Sequence, residues 1–167
     1  MTKLPTKSEI DAAAEIVYAT MPPTAQYVWP LLAEAVGTTV WVKHENHTPI
    51  GAFKVRGGLV YMANLRANKP DVRGVIAATR GNHGQSIGFA ARASGIDAVI
   101  VVPEGNSREK NVAMEALGVE LITHGHDFQA AMEYAASLAV ERGLEMVPSY
   151  AMELAHGVAT YGLELLS

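Results

Sequence analysis

Apolar and polar residues follow two patterns along this chain, and each pattern predicts a different element. Uninterrupted runs of small and β-branched apolar residues are typical of strands buried on both faces. Apolar residues spaced three or four apart are typical of helices that pack on such strands. The runs predict strands at 38–43, 74–78, 98–102, 119–123 and 145–147. The helical spacing predicts helices at 29–35, 53–67, 85–94, 107–117, 127–142 and 152–166. An earlier helix, with Ser8 as its predicted N-cap, ends before Pro22.

Strands that alternate with helices in this way predict βαβ units, and hence an α/β protein with a doubly wound, mostly parallel sheet. Two features do not fit a complete α/β domain. The predicted strand at 38–43 has no neighbour in the alternating block, and the last helix leads into no further strand. We therefore expect the chain to be a truncated piece of a longer protein.

Composition narrows the class of protein. Hydrophobic residues make up 49% of the chain and charged residues 18%, which is typical of a globular protein. The net charge of −4 and the absence of a basic run argue against nucleic-acid and anionic-membrane partners. Without cysteine, disulfides and zinc–thiolate sites are excluded. The N-terminus lacks the apolar run of a signal peptide and no stretch is long enough to cross a bilayer, so we expect a cytoplasmic protein.

Two loops are candidates for chemistry, because ligands bind at the carboxyl ends of strands in doubly wound sheets. Thr79-Arg80-Gly81-Asn82-His83-Gly84-Gln85 runs from a strand into a helix, where glycines and the helix N-terminus suit an anion. It is neither a dinucleotide fingerprint nor a P-loop, and alone it fits an ordinary turn equally well.

Gly51-Ala52-Phe53-Lys54-Val55-Arg56-Gly57-Gly58 places a lysine at the start of a helix. The helix dipole repels an ammonium there and the neighbouring residues are apolar, so this position is unusual for a surface charge. It suits a reactive amine. Solvated surface charges are expected instead at Lys43, Lys69 and Lys110.

Together, the two loops resemble a known family. Ala52-Phe53-Lys54-Val55-Arg56-Gly57-Gly58 is similar to the Ser-Phe-Lys-x-Arg-Gly-Ala segment around the cofactor lysine of fold-type II pyridoxal-phosphate enzymes. Arg80-Gly81-Asn82-His83-Gly84-Gln85 is similar to their Ser-Gly-Asn-His-Gly-Gln loop, in the expected order and at the expected separation. The resemblance is to the threonine/serine dehydratase group and runs from about residue 4 to residue 167.

What the resemblance implies is the N-terminal half of a tryptophan synthase β-like fold. Residues 1–66 and 149–167 would form part of a large domain, and residues 67–148 a small α/β domain. The loop that cradles the cofactor phosphate in this family would lie beyond Ser167. A homodimer is expected of the full-length protein.

The activity that the resemblance implies is that of a pyridoxal 5'-phosphate-dependent dehydratase (ammonia-lyase), which converts threonine, serine or a similar β-hydroxy amino acid to a 2-keto acid and ammonia. A racemase, a β-replacement synthase, and an inactive α/β fragment or binding module are the alternatives.

Residue roles follow from the same resemblance. Lys54 would be the catalytic residue that holds the cofactor and removes the Cα proton, with Phe53 packed beside the cofactor and Asn82 bonded to its 3-hydroxyl. The substrate carboxylate would be bound by the loop of Thr79, Arg80, Gly81, Asn82 and His83. We predict no metal site, and the pair His124 and His126 is expected to be solvated.

Two positions depart from the family pattern. Ala52 replaces a serine before Phe-Lys, and Arg80 replaces the serine that serves as acid/base in racemases of this group. Because an arginine stays protonated, it is a poor base, which favours β-elimination over racemisation. Arg80 either binds a substrate carboxylate, such as the second one of a hydroxyaspartate, or pairs with a nearby acid. The sequence favours neither.

Overall fold

The computed structural model describes residues 4–167, and within them helices and strands alternate. The helices are α1 (Lys7–Tyr18), α2 (Pro30–Val36), α3 (Lys54–Asn68), α4 (Asn82–Ala93), α5 (Arg108–Glu115), α6 (Phe128–Arg142) and α7 (Met152–Leu166). The strands are β1 (Gln26–Val28), β2 (Trp41–Lys43), β3 (Gly74–Ala78), β4 (Asp97–Val102), β5 (Glu120–Thr123) and β6 (Glu145–Met146), and a 3-10 turn spans Glu45–His47. None of these helices has the length and apolar composition that a membrane crossing requires.

Four strands form one parallel sheet in the order β5-β4-β3-β6. The chain builds the sheet outward from β3 through β4 to β5, and α6 then carries it back to place β6 on the other side of β3. This reversal of strand order creates a switch point at the carboxyl ends of β3 and β6, the usual place for a ligand in such a sheet. The predicted doubly wound parallel sheet is confirmed.

Both faces of the sheet are covered, which explains the uninterrupted apolar runs. Successive residues of a strand face opposite sides. Val75 and Ala77 belong to a core that includes buried residues of α1, α3 and α4, whereas Ile76 and Ala78 belong to a second core against α6. No position of β3 is left to solvent, so every residue of it is apolar or glycine.

The cap of α1 differs from the prediction. Thr6, not Ser8, is the N-cap: its Oγ1 accepts a hydrogen bond from the Glu9 backbone N–H at 3.3 Å, and the Glu9 carboxylate accepts the Thr6 backbone N–H at 2.7 Å. Ser8 lies inside the first turn. Both Thr6 and Ser8 have an acid three residues later, and the glutamate has the longer side chain to reach back.

Two further element boundaries are corrected. α4 begins at Asn82 rather than at residue 85, with its first helical hydrogen bond running from the Gln85 N–H to the Gly81 carbonyl at 3.1 Å. Asn82 and His83 therefore belong to the first helical turn. The predicted strand at 38–43 is shortened to β2 and does have a neighbour, because β1 pairs with it antiparallel. β1 was missed because three residues, with a proline two positions after the last, give no recognisable strand pattern.

Candidate active site

Two glycines of helix α3 allow its backbone to pack closely against the backbones of α7 and α4. A Cβ at Gly57 would lie 2.7 Å from the carbonyl oxygen of Leu154 on α7, and a Cβ at Gly58 would lie 2.8 Å from that of Ser86 on α4. Neither site has room for a side chain without a shift of the neighbouring helix. Because α4 starts at the carboxyl end of β3, this packing brings the start of α3 to the switch point.

Lys54 is the first residue of α3 and thus lies in the first helical turn, as the sequence predicted. The preceding turn is closed by the buried Thr48 hydroxyl, which accepts from the Ala52 N–H and donates to the Ala52 carbonyl, both at 2.9 Å. The Lys54 side chain is half-buried, and its Nζ lies 5.4 Å from the centre of the Phe53 ring. Within residues 4–167 no acid lies at ion-pair distance from Lys54. The amine is therefore accessible.

The predicted partner Phe53 is 40% exposed and lies edge-on to Tyr161, with ring centres 6.4 Å apart. An exposed aromatic face beside an amine is available to a planar ligand.

His83 is the second residue of α4 and interacts both with Lys54 and with the loop that follows β6. Burial, and then the positive charge of Lys54, lower the pKa of His83 to about 4, while a hydrogen bond to the Pro148 backbone opposes the shift. The imidazole is therefore neutral at pH 7. Its Nε2 is buried and has no hydrogen-bond partner in the part of the chain that the structure describes. Since Pro148 follows β6, His83 links the loops after β3 and β6.

The loop between β3 and α4 is shaped by Thr79 and Gly81. The Thr79 hydroxyl accepts the Gly81 N–H at 3.1 Å. A Cβ at Gly81 would lie 2.5 Å from Cδ of Lys110 and 3.2 Å from its Nζ, so only glycine leaves this lysine in place. Asn82 is exposed at the helix start, where the first backbone N–H groups have no intrahelical acceptor. A cation thus lies beside the N-terminus of α4, which suits the anion that the sequence predicted here.

Arg80 is exposed, and no ion pair joins it to an acid among residues 4–167. Its charge contributes to lowering the pKa of Asp127, but the backbone N–H of Ala130 is the largest cause of that shift. The salt-bridge alternative for Arg80 is therefore not formed in this structure.

A buried ion network centred two residues after Lys54 was not predicted from the sequence. The fully buried Arg56 donates to Glu45 from Nε at 2.8 Å and Nη2 at 2.9 Å, and to Glu164 from Nη1 at 2.5 Å and Nη2 at 3.0 Å. A further bond runs from Nη1 to the Thr160 hydroxyl at 3.0 Å. The signal was present, since Arg56 lies among buried residues of α3 where an apolar side chain is expected.

The prediction of Lys43 as a surface charge was wrong. Only 7% of its side chain is exposed, and Nζ contacts the Glu164 carboxylate at 2.5 Å. Burial acts to raise the pKa of Glu164, but hydrogen bonds from Arg56, Lys43 and Tyr18 outweigh it and hold the pKa below its usual value. By contrast, Lys69 is exposed as predicted.

Both histidines of the predicted solvated pair are exposed. His124 stacks on Tyr134 with ring centres 3.9 Å apart, and His126 is exposed beside Asp127. Residues 4–167 contain no group of three or more histidine or acidic side chains arranged to hold a metal ion.

Comparison with known proteins identifies the family of the chain. Residues 21–167 match the family model described as pyridoxal-phosphate dependent enzyme. The biosynthetic L-threonine dehydratase of Haemophilus influenzae is 32% identical over 136 residues, which are 81% of this chain and 26% of that protein.

Two solved structures have the same fold. A pyridoxal 5'-phosphate-dependent aspartate racemase has a TM-score of 0.92 and 28% identity, covering 98% of this chain and 52% of that one. A threonine deaminase from Solanum lycopersicum has a TM-score of 0.82 and 26% identity, covering 96% and 48%. The chain thus spans about half of each solved structure and about a quarter of the dehydratase.

The residues present fit the cofactor that these matches indicate. A lysine that holds pyridoxal phosphate must offer a reachable amine, and Lys54 does so beside the exposed Phe53 ring. The unpaired, buried Nε2 of His83 leaves a polar group to be satisfied at the same place. With the family model, the fold and this site in agreement, the chain belongs to the pyridoxal-phosphate dependent enzymes of fold type II, with pyridoxal 5'-phosphate as its cofactor.

Proposed function

We propose that the whole protein is a dehydratase (ammonia-lyase) that converts a small β-hydroxy amino acid, such as threonine or serine, to a 2-keto acid and ammonia. The observation that carries this proposal is the half-buried Lys54 amine, which has no acid partner in residues 4–167 and lies at the switch point. The similarity to a threonine dehydratase supports the substrate class.

Each residue of the site has a part in the proposed reaction. When bound, pyridoxal phosphate supplies an electron sink for negative charge that develops at Cα. Lys54 would hold the cofactor, and its Nζ would accept the Cα proton of the substrate. Phe53 would pack beside the ring, and Asn82 would hydrogen-bond the 3-hydroxyl of the cofactor.

The carboxylate of the substrate is bound by residues 79–83 in this proposal. Arg80 and the first turn of α4 (Asn82 and His83) would present backbone N–H groups to it. Thr79 and Gly81 would shape the loop, because their own N–H groups donate to the Val101 carbonyl at 3.0 Å and to the Thr79 hydroxyl at 3.1 Å. The β-hydroxyl leaves with a proton as water, and a water molecule is consumed when ammonia is released. The net change is therefore substrate to 2-keto acid plus ammonia.

A racemase is the second candidate, because an aspartate racemase is among the similar structures. Racemisation needs an acid/base on the face of the substrate opposite the lysine. Arg80 occupies the matching position, and an arginine keeps its proton. This observation favours elimination with Lys54 as the one base. Because the chain covers only part of its relatives, an inactive α/β module remains the other alternative.

We further propose the division into a partial large domain (1–66 and 149–167) and a small domain (67–148), with a homodimer in the cytoplasm as the state of the full-length protein. The packing of α7 on α1 and α3, rather than on the sheet, supports the grouping of the first and last segments.

The test uses the protein as its gene encodes it. After incubation with pyridoxal phosphate and reduction with borohydride, peptide mapping is expected to find the pyridoxyl group on Lys54. Lys54→Ala removes the adduct, whereas Lys69→Ala, at an exposed lysine paired with Glu145, keeps it. Threonine then yields 2-ketobutyrate and ammonia in equal amounts.

Three results contradict the proposal in different ways. Adducts spread over surface lysines argue against the cofactor site. An adduct on Lys54 with inversion at Cα and no keto acid identifies a racemase. An adduct without turnover of any β-hydroxy amino acid leaves only a binding module.

A further inference from the structure

A hydroxyl outside the family motifs contacts the cofactor lysine directly. Ser86 lies on α4, is fully buried, and donates from Oγ to the main-chain carbonyl of Lys54 at 2.6 Å. We propose that Ser86 is a positioning residue, which fixes the start of α3 against the start of α4 and so sets Lys54 relative to the substrate loop. This inference rests on the proposed function.

The choice of acceptor is informative. A serine inside a helix commonly bonds the carbonyl four residues before it, which for Ser86 is that of Asn82. Here the hydroxyl instead crosses to α3. The Lys54 carbonyl, whose helical partner is the N–H four residues on, has a second lone pair to accept it. The bond therefore joins the first turn of α3 to the helix that begins with Asn82 and His83.

The bond is separable from the packing around it. The two helices already touch at Gly58, where a Cβ would lie 2.8 Å from the Ser86 carbonyl oxygen. An alanine at position 86 keeps its own Cβ and this backbone contact, and loses only the hydroxyl. On the other side of α3, Arg56 continues to hold the helix to α7 through Glu164. Ser86→Ala thus releases the Lys54 turn from α4 alone.

Ile87→Val is the matched control. Ile87 is the next residue of α4, equally buried, and belongs to the core of the sheet rather than to the contact with Lys54. Loss of one methylene group and loss of one buried hydrogen bond lower stability by comparable amounts. The two variants therefore differ in function only if the hydroxyl positions the lysine.

The experiment measures the gene-encoded protein with pyridoxal phosphate and a β-hydroxy amino acid. In Ser86→Ala we expect kcat to fall roughly 10-fold or more, with KM changed less than about 2-fold, because geometry rather than binding is lost. The borohydride-fixed adduct on Lys54 also forms more slowly. In Ile87→Val both quantities stay within about 2-fold of the wild type.

The outcomes distinguish the two proposals. A wild type without an adduct on Lys54 overturns the proposed function and this inference with it. A wild type that labels and turns over, with Ser86→Ala indistinguishable from Ile87→Val, overturns the role of Ser86 alone. If Ser86→Ala does not fold, Ser86→Cys replaces the hydroxyl with a larger group that is a weaker donor. Wild-type kcat and labelling rate in that variant overturn the inference.

Discussion

The substitution Arg56→Met would remove one of the two cations of the buried ion network. The carboxylates of Glu45 and Glu164 would then share the single positive charge of Lys43. In the wild type the side chains of Arg56, Lys43, Glu45 and Glu164 are 0, 7, 15 and 6% exposed, and their charges balance. Methionine replaces much of the aliphatic stem of the arginine, so the substitution removes the charge and the donors while it keeps part of the packing. It therefore reports mainly on the electrostatic contribution of Arg56.

The magnitude follows from what each carboxylate retains. Glu164 keeps the ammonium of Lys43, the hydroxyl of Tyr18 and the backbone N–H of Thr24. Among the residues that the structure describes, Glu45 keeps only the Thr24 hydroxyl, at 2.6 Å. Removing one partner of a buried ion pair costs about 3–5 kcal/mol. Because the abandoned Glu45 is the more exposed of the two acids, we expect the lower end, about 3 kcal/mol, out of a total stability of about 5–15 kcal/mol.

The assay is urea unfolding, with Arg142→Met as the matched control. Arg142 contacts both carboxylate oxygens of Glu120 at 2.8 and 2.7 Å, but these side chains are 39 and 50% exposed. For this exposed pair we expect a loss below about 1 kcal/mol. Equal losses of unfolding free energy in Arg56→Met and Arg142→Met at neutral pH would refute the reasoning that burial makes the Arg56 ion pairs more stabilising than an exposed pair.

The loss in Arg56→Met is also expected to depend on pH. The folded-state pKa of Glu164 is lowered, so its stabilising contribution is present above the unfolded value of about 4.3 and is lost as pH falls through the folded value. The difference between wild type and variant is therefore largest near neutral pH and shrinks in acid. A difference that does not change with pH contradicts the electrostatic explanation.

Three further predictions follow from the geometry. Gly58→Ala lowers the free energy of unfolding by about 1–3 kcal/mol, because its Cβ would lie 2.8 Å from the α4 backbone; Gly162→Ala, with nothing within 4 Å, does not. Thr6→Ala costs about 1 kcal/mol in thermal unfolding and Ser8→Ala clearly less, since Thr6 is the N-cap. With a pKa lowered to about 4, His83 shows ring-proton shifts in NMR that stay constant between about pH 5 and 8. Stability falls as pH drops from about 6.5 toward 4, and His83→Gln removes that part of the slope.

The sequence was informative where structure is decided locally. β3 and β4 were predictable because burial on both faces demands an uninterrupted apolar run. The place of Lys54 in the first turn of α3 was predictable from the helical spacing of residues 53–67. The partners of Arg56 were not, since Glu164 is 108 residues away and nothing local marks it. The same limit explains the error at Lys43, whose amine contacts Glu164 and the Thr24 carbonyl, both distant from it in sequence.

The distribution of contacts around Lys54 gives the motif a physical explanation. In the proposed reaction Lys54 both holds the cofactor and accepts a proton, so its amine must move while its main chain stays fixed. In this structure the Lys54 carbonyl is bonded by Ser86, and the next two residues, Val55 and Arg56, are fully buried. The amine itself has no ion pair in residues 4–167. Arg56 connects α3 to α7 through its ion pair with Glu164, and Gly58 allows α4 to pack closely on the opposite side of α3. The backbone of the segment from Lys54 to Gly58 is therefore held by α7 on one side and by α4 on the other. The Lys54 side chain can still move.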